Sequence, residues 1–171
     1  MRHFLQLSNL VLLLVFSHHL YAQKPIQPPI KKSAHYSANI DFYGHHFSGI
    51  LTVKPTDTIN TRLVFTSVTG FKYFDIQVGD SVQMIYCIEP LQRKSVLHLL
   101  KEDLPYLVRV TPDTKVKKWV KKTSITKLKF APRKKYSVIY FIENYNAKNA
   151  EKITVKHRGL LVKYVFELLK E

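Results

Sequence analysis

Apolar and polar residues alternate along the chain over positions 35–42. A period of two is typical of a β-strand that buries one face against a core. A turn at Gly44 separates this segment from a second apolar run at 47–53. The pattern therefore predicts an antiparallel hairpin at the start of the folded domain.

Strand-like segments continue after the hairpin, and each is rich in β-branched and aromatic residues. They occupy 62–68, 71–78 and 81–88, and short turns containing Gly70 and Gly79 separate them. Sequential strands that are joined by short turns usually pair with their neighbours. The first five strands are therefore predicted to form a meander.

The hydrophobic period then changes to that of a helix. Over 91–103, directly after Pro90, apolar residues recur at a spacing of three and four, which predicts one amphipathic helix. Further strands are predicted at 106–111, 123–130, 136–142, 153–157 and the start of 160–169, while 115–122 has the pattern of a charged edge or loop. About nine strands and one main helix predict an α+β fold, with the helix packed on a curved antiparallel sheet.

Residues 1–22 have the pattern of a signal peptide. Arg2 precedes an apolar run at 10–16 that is too short to span a bilayer, and Ala22 is a small residue suited to cleavage. An uncleaved N-terminal anchor is the alternative. Residues 23–33 are predicted to form a proline-rich arm and 34–171 a single β-rich domain. We therefore expect an exported, soluble periplasmic protein, not lipidated because no cysteine stands at the cleavage site.

The chain is strongly basic, with 27 lysines and arginines against 12 acidic residues and a net charge of +15. In an exported protein this charge favours anionic lipid head groups, polysaccharide or acidic proteins as partners, and not nucleic acid. The alternative is that the lysines only solvate the outer face of the sheet. Cys87 is the single cysteine, and its place in a strand predicts a buried, unreactive thiol.

No pattern of catalytic or metal-binding residues stands out in the sequence. It contains no glycine-rich phosphate loop and no GxSxG or HExxH motif. His45 and His46 are adjacent, so a solvated turn explains them better than a metal site. Asp75 and Asp80 are interpreted as turn residues, and 102–103 as the end of the helix. The sequence therefore predicts a protein that is not an enzyme and needs no cofactor.

A cluster of basic residues surrounds the single tryptophan, Trp119. Its nearest members are Lys117, Lys118, Lys121 and Lys122. Lysines beside a tryptophan suit contact with an anionic membrane surface, with the ring at the interface. The alternative is that these lysines protect an edge strand from pairing with another sheet.

Several predicted strands, notably 71–78 and 136–142, have apolar residues at both odd and even positions, so that both of their faces are apolar. A sheet with one face in water should not have this pattern. Either a second layer covers each face, or one face lines an apolar cavity. The sequence alone leaves both a dense core and a cavity open.

The segment from Tyr36 to Leu104 resembles the LolA/LolB-type lipoprotein localisation superfamily of bacterial envelopes. The resemblance lies in the opening hairpin with Phe47-Ser48-Gly49-Ile50-Leu51, in the meander through Phe74-Asp75 and Tyr86, and in the helix from Leu91. It implies an incomplete β-barrel around an apolar cavity that helices close, and a role in binding lipids or lipoproteins. A proline-rich arm stands where that superfamily has an N-terminal helix.

Two functions are expected from these observations. The first is a periplasmic binding protein or chaperone for acyl chains or lipoproteins, which uses an apolar cavity between sheet and helix. Its candidate cavity residues are Phe42, Phe47, Leu51, Phe65, Phe74, Ile76, Met84, Tyr86, Val138 and Tyr140, with Leu97 and Leu100 of the helix as a plug. The second is an envelope protein with a filled core that binds an anionic partner or membrane surface through the lysines around Trp119.

Overall fold

The computed structural model describes residues 28–109, 115–120, 126–131, 138–145, 148–157 and 159–170, with the backbone alone for 115–120, 126–131 and 145. The strands in these ranges are β1 (Ala34–Phe42), β2 (His45–Pro55), β3 (Thr61–Thr66), β4 (Lys72–Val78), β5 (Val82–Cys87), β6 (Lys115–Val120), β7 (Thr126–Ala131), β8 (Val138–Tyr145), β9 (Ala150–His157) and β10 (Val162–Leu168). The helical segments are a 3₁₀ turn (Glu89–Leu91), α1 (Lys94–Asp103) and α2 (Pro105–Val108). The predicted signal peptide at 1–22 lies outside the described residues.

Eight strands form one open antiparallel sheet in the order β5–β4–β3–β2–β1–β10–β9–β8, and β6 pairs with β7 in a separate hairpin. The first five strands are neighbours in chain order, which confirms the predicted meander. The chain then returns so that its last strand pairs with its first. Among the described strands, β5 and β8 end the sheet without pairing with each other, so the barrel stays incomplete. An α+β fold with one main helix on this sheet is confirmed.

Strand β1 lies near the centre of the sheet, and its burial follows the alternating pattern of its sequence. Its even-numbered residues are buried, and its odd-numbered residues are partly or fully exposed. The pairing sets Ile40 opposite Phe47 of β2 and Tyr164 of β10. Since residues directly opposite each other project from the same face, an apolar inner face extends across the sheet.

Gly49 lies where β2 and β3 approach each other most closely. A Cβ atom at this position would collide with the backbone carbonyl of Thr66, so only glycine fits. The pairing also shifts between Phe65 and Thr66 and between Asp75 and Ile76. Such bulges increase the local twist of the strands that contain them.

Helix α1 contributes the second layer of the core. Val96, Leu99 and Leu100 are buried on its inner face, as the helical spacing of the sequence predicts. The helix begins at Lys94 rather than at 91 because residues 89–91 form a separate 3₁₀ turn with Pro90 inside it. The predicted amphipathic helix is therefore present but shorter at its start.

The predicted strand at 106–111 is wrong, because its first half forms α2. Pro105 stands in the first turn of α2, where its missing N–H group leaves no hydrogen bond unmade. Leu107 of α2 is buried in the same core as α1. Tertiary packing therefore outweighs the β-branched composition that favoured a strand here.

The end of the proline-rich arm is fixed to the domain. Ile30 is buried, its backbone N–H donates to the carbonyl of Leu107 at 2.9 Å, and it forms a β-bridge with Asn149. The N–H of Ala150 donates to the carbonyl of Pro29 at 2.8 Å. These contacts extend the folded unit to residues that the sequence predicted only as an extended arm.

Candidate functional site

The inner face of the sheet and the helix α1 together hold eleven of the twelve residues that were predicted to line a cavity. They belong to one continuous apolar cluster. Its fully buried members from the prediction are Phe42, Leu51, Phe65, Phe74, Ile76, Leu100, Val138 and Tyr140, and its half-buried members are Phe47, Met84 and Leu97. The sequence pattern thus identified one apolar surface shared by strands from both ends of the sheet and by α1.

The prediction for Tyr86 is wrong, because this residue lies on the outer face. Tyr86 is opposite Asp75, whereas Met84 is opposite Ile76, so Ile85 is the extra residue of a bulge. The bulge turns both Ile85 and Tyr86 outward, where each is exposed. The Lys72 ammonium lies 5.8 Å from the centre of the Tyr86 ring.

The inner face is closely packed in this conformation. Leu51, Phe65, Phe74 and Ile76 have no surface that water can reach. A side chain that borders an internal space large enough for water would keep some of its surface accessible. The interior around these side chains is therefore filled, and an apolar ligand could enter it only if α1 and α2, the covering layer of the sheet, moved.

The covering layer is held by few polar contacts at its two ends. No side chain caps the N-terminus of α1. Just before it, Gln92 donates from Nε2 to the carbonyl of Cys87 at 2.8 Å. Just after α2, Arg109 donates to the carbonyl of Gly79. The carbonyl of Leu107 in α2 accepts from the N–H of Ile30, and a further group of polar contacts among the described residues converges on the last residue of α1.

That residue, Asp103, is the centre of a buried polar cluster with Tyr140, His157 and Tyr164, which we call the Asp103 cluster. His157 Nε2 lies 2.6 Å from Asp103 Oδ2, and Tyr164 Oη donates to the same oxygen at 2.9 Å. Tyr140 Oη donates to the backbone carbonyl of Asp103 at 3.1 Å. These bonds join the end of α1 to β8, β9 and β10.

Burial raises the pKa of both tyrosine hydroxyls well above their ordinary value, and the negative charge of Asp103 raises them further. Both hydroxyls therefore remain protonated donors. In contrast, His157 Nδ1 is buried and has no hydrogen-bond partner among the described residues. A buried nitrogen without a partner is uncommon in native proteins and calls for an explanation.

Sequence reasoning missed the Asp103 cluster, since it interpreted 102–103 only as the end of a helix. One signal was available. Asp103 follows Leu99 by four positions and Leu100 by three, which places it on the buried face of α1. A charged residue on an apolar helix face needs a partner, but the partners themselves come from strands far along the chain.

A groove of about 580 Å³ opens beside the start of α1. We call it the Phe47 groove, after the half-buried ring that joins it to the core. Its other walls include Pro90 and the polar side chains of His45, His46 and Arg93. His46 Nδ1 lies 2.6 Å from Asp41 Oδ1, and His45 is exposed.

Exposed apolar side chains gather at one end of the sheet, which we call the turn end. Its members, with their exposed fractions, are Val68 (82%), Leu161 (77%), Phe71 (56%) and Tyr43 (44%). They lie on the β1–β2, β3–β4 and β9–β10 connections, and the N–H of Tyr43 donates to the carbonyl of Leu161 at 2.9 Å. Scattered exposed apolar residues are ordinary, whereas a contiguous apolar patch marks a contact with an apolar partner.

The outer face carries a buried ion pair that the sequence did not predict. Asp75 lies inside β4 rather than in a turn, and its carboxylate accepts from Arg62 Nε at 2.8 Å and Arg62 Nη2 at 2.7 Å. These hydrogen bonds hold the pKa of Asp75 below its ordinary value. Lys72 Nζ adds a third contact at 3.2 Å. This pair stabilises the outer face and takes no part in the apolar site.

Two further sequence predictions concern Cys87 and the basic cluster. Cys87 is buried at the end of β5, and burial raises the pKa of its thiol to about 11, as expected for an unreactive cysteine. Lys117, Lys118 and Trp119 lie on β6, whose side chains are not described. Lys121 and Lys122 lie outside the described residues. Membrane contact through these lysines stays a prediction.

Comparison with solved structures finds three matching chains. The chain is similar in structure to a LolA superfamily protein from Nitrosomonas europaea, at 11% sequence identity and a TM-score of 0.41, over 85% of this chain and 87% of that chain. No family model and no curated protein matches the sequence. None of the described helices is both long and apolar enough to cross a membrane.

Proposed function

We propose that this protein binds acyl chains of lipids or lipoproteins between the inner face of its sheet and α1, as a carrier or chaperone outside the cytoplasm. The observation that carries the proposal is the make-up of the inner face. It is apolar across the eight-stranded sheet apart from His157 at the end of β9, and its described cover is a single short helical layer. In this proposal α1 is a lid, and the packed interior is the closed state.

The energetics of such binding are favourable without any catalytic group. Burying about 14 methylene groups contributes on the order of 11 kcal/mol at about 0.8 kcal/mol each. Displacing Val96, Leu99 and Leu100 of α1 from the core offsets part of this gain. Because the cargo replaces one apolar surface with another, the net affinity depends on how loosely α1 is held.

The Phe47 groove is the proposed entrance. It lies at the uncapped end of α1, where no side-chain hydrogen bond holds the first turn. Phe47 also packs edge-on against Tyr73, with ring centres 5.5 Å apart, so an apolar path continues from the groove into the core. The opposite end of α1 is held by the Asp103 cluster and would serve as the hinge.

The proposal is tested by titrating the purified domain with a fluorescent fatty acid and following its displacement by palmitic acid. We expect saturable binding with one site and a Kd in the micromolar range or lower. Extraction of the protein from its native host, followed by mass spectrometry, should recover co-purified lipid. The absence of both binding and co-purified lipid would exclude a carrier role.

Binding to an anionic membrane surface is the second candidate function, and the turn end favours it. Four exposed apolar side chains at this end could enter the interface of a bilayer. The positive charge of the chain would add attraction to anionic head groups. The two functions are compatible, because a carrier must meet the membrane that supplies or receives its cargo.

We expect the double substitution Val68→Ser and Leu161→Ser to weaken binding to vesicles of phosphatidylglycerol and phosphatidylcholine by about tenfold or more, since two aliphatic contacts are lost. Vesicle co-sedimentation measures the effect. Ile59→Ser is the matched control, because Ile59 is 58% exposed but lies on the β2–β3 connection, away from the turn end. Equal losses in both proteins would show that the turn end has no special role.

A further inference from the structure

We propose that His157 Nδ1 anchors the polar end of the cargo, and that the preferred cargo is therefore a fatty acid with a free carboxyl group rather than an ester. This inference rests on the proposed acyl binding. It starts from the one buried side-chain nitrogen that has no partner among the described residues. The His157 side chain is almost wholly inaccessible to water and projects from the inner face at the end of β9.

The hydrogen bonds of the Asp103 cluster determine whether His157 Nδ1 is a hydrogen-bond donor or an acceptor. Asp103 Oδ2 already accepts from the hydroxyl of Tyr164, and it faces His157 Nε2 at 2.6 Å. A carboxylate oxygen requires a donor there, so in a neutral imidazole the hydrogen must be on Nε2. Nδ1 is then left with a lone pair, which accepts hydrogen bonds but donates none.

A ligand that satisfies this atom must bring a hydrogen of its own. A free carboxyl group that binds in its protonated form, taking a proton from water where it is ionised in solution, can share that proton with Nδ1, whether the proton stays on oxygen or moves to nitrogen. An ester has only acceptor oxygens, so its carbonyl would meet a second acceptor. Burying two acceptors against each other leaves both without a hydrogen bond, which disfavours the ester. The shared proton also adds no net charge beside Asp103.

The position of His157 suits an anchor at one end of the apolar surface. Its ring packs edge-on to Tyr164, with ring centres 6.3 Å apart, and Tyr164 packs in turn against Phe42 at 5.3 Å. On its other side His157 is paired with Val138. An acyl chain that starts at Nδ1 would therefore continue directly onto apolar side chains of the inner face.

The test measures competition by three ligands with the same chain length: palmitic acid, hexadecanol and methyl palmitate. In the wild-type protein we expect the acid and the alcohol, which both bring a hydrogen, to bind about tenfold more tightly than the ester. In His157→Phe the ester should keep its affinity while the advantage of the acid and the alcohol disappears. His98→Phe, on the exposed side of α1, is the matched control and should keep the wild-type preference.

The outcomes separate this inference from the proposed function. If the wild-type protein binds all three ligands equally, the anchor at His157 is wrong and acyl binding stands. If it binds none of them, acyl binding itself is wrong, and the anchor fails with it. The comparison within the wild-type protein remains decisive even if His157→Phe does not fold.

Discussion

Replacing Asp103 with alanine is expected to lower the free energy of unfolding by about 3–5 kcal/mol. The substitution removes the acceptor from His157 Nε2 and from Tyr164 Oη, two groups that water does not reach. It also detaches the end of α1 from β9 and β10. Urea denaturation followed by circular dichroism measures the loss.

The matched control for this substitution is Glu102→Ala. Glu102 precedes Asp103 on the same helix but is exposed, so its replacement should change stability by less than about 0.5 kcal/mol. Hydrogen exchange adds a local readout, because the amides of α1 should exchange faster in Asp103→Ala relative to those of β1. Similar losses from both substitutions would mean that the Asp103 cluster does not hold the helix.

Replacing Leu100 with alanine is expected to have opposite effects on stability and on binding. Leu100 has no accessible surface and packs in the core from α1, so its truncation should lower the free energy of unfolding by about 2–5 kcal/mol. If the cargo competes with the side chains of α1 for the inner face, the same change should increase affinity for palmitic acid by about tenfold.

The direction of the binding change distinguishes a lid from an ordinary core helix. Damage to a core that serves stability alone would weaken ligand binding or leave it unchanged. Leu169→Ala is the control, since Leu169 follows β10 and is exposed, and it should alter neither quantity. Unchanged or weaker binding by Leu100→Ala would contradict the role of α1 as a lid.

The parts of the fold that local patterns determine were predictable from the sequence. The strict alternation in β1 and the short turns after it predicted the meander, because each strand pairs with its chain neighbour. The return of β10 to β1 joins residues such as Ala38 and Phe166 that are far apart in the chain. No local pattern encodes such a pairing, so the sequence predicted the strands but not their complete order.

In the candidate site too, residues that follow a local sequence pattern were predictable, whereas contacts between residues far apart in the chain were not. Leu97 and Leu100 were predicted from helical spacing and the apolar strand residues from alternation, and the structure places them in one apolar cluster. Tyr86 was misplaced because alternation fails at a bulge, which the sequence of β5 does not reveal. His157 lies 54 positions from Asp103, and Tyr164 lies 61 positions from it. A polar cluster of this kind becomes visible only when the fold brings its members together.

The most direct test of the account is nuclear magnetic resonance of the methyl groups in the presence of a fatty acid that carries a spin label at the end of its chain. If the acyl chain enters between sheet and helix, the label should broaden the methyl signals of Leu51, Ile76 and Leu100, all of which are buried. The signals of the exposed Ile59 should remain sharp. Broadening confined to Val68 and Leu161, with the interior signals unchanged, would show adsorption at the turn end and contradict binding in the core.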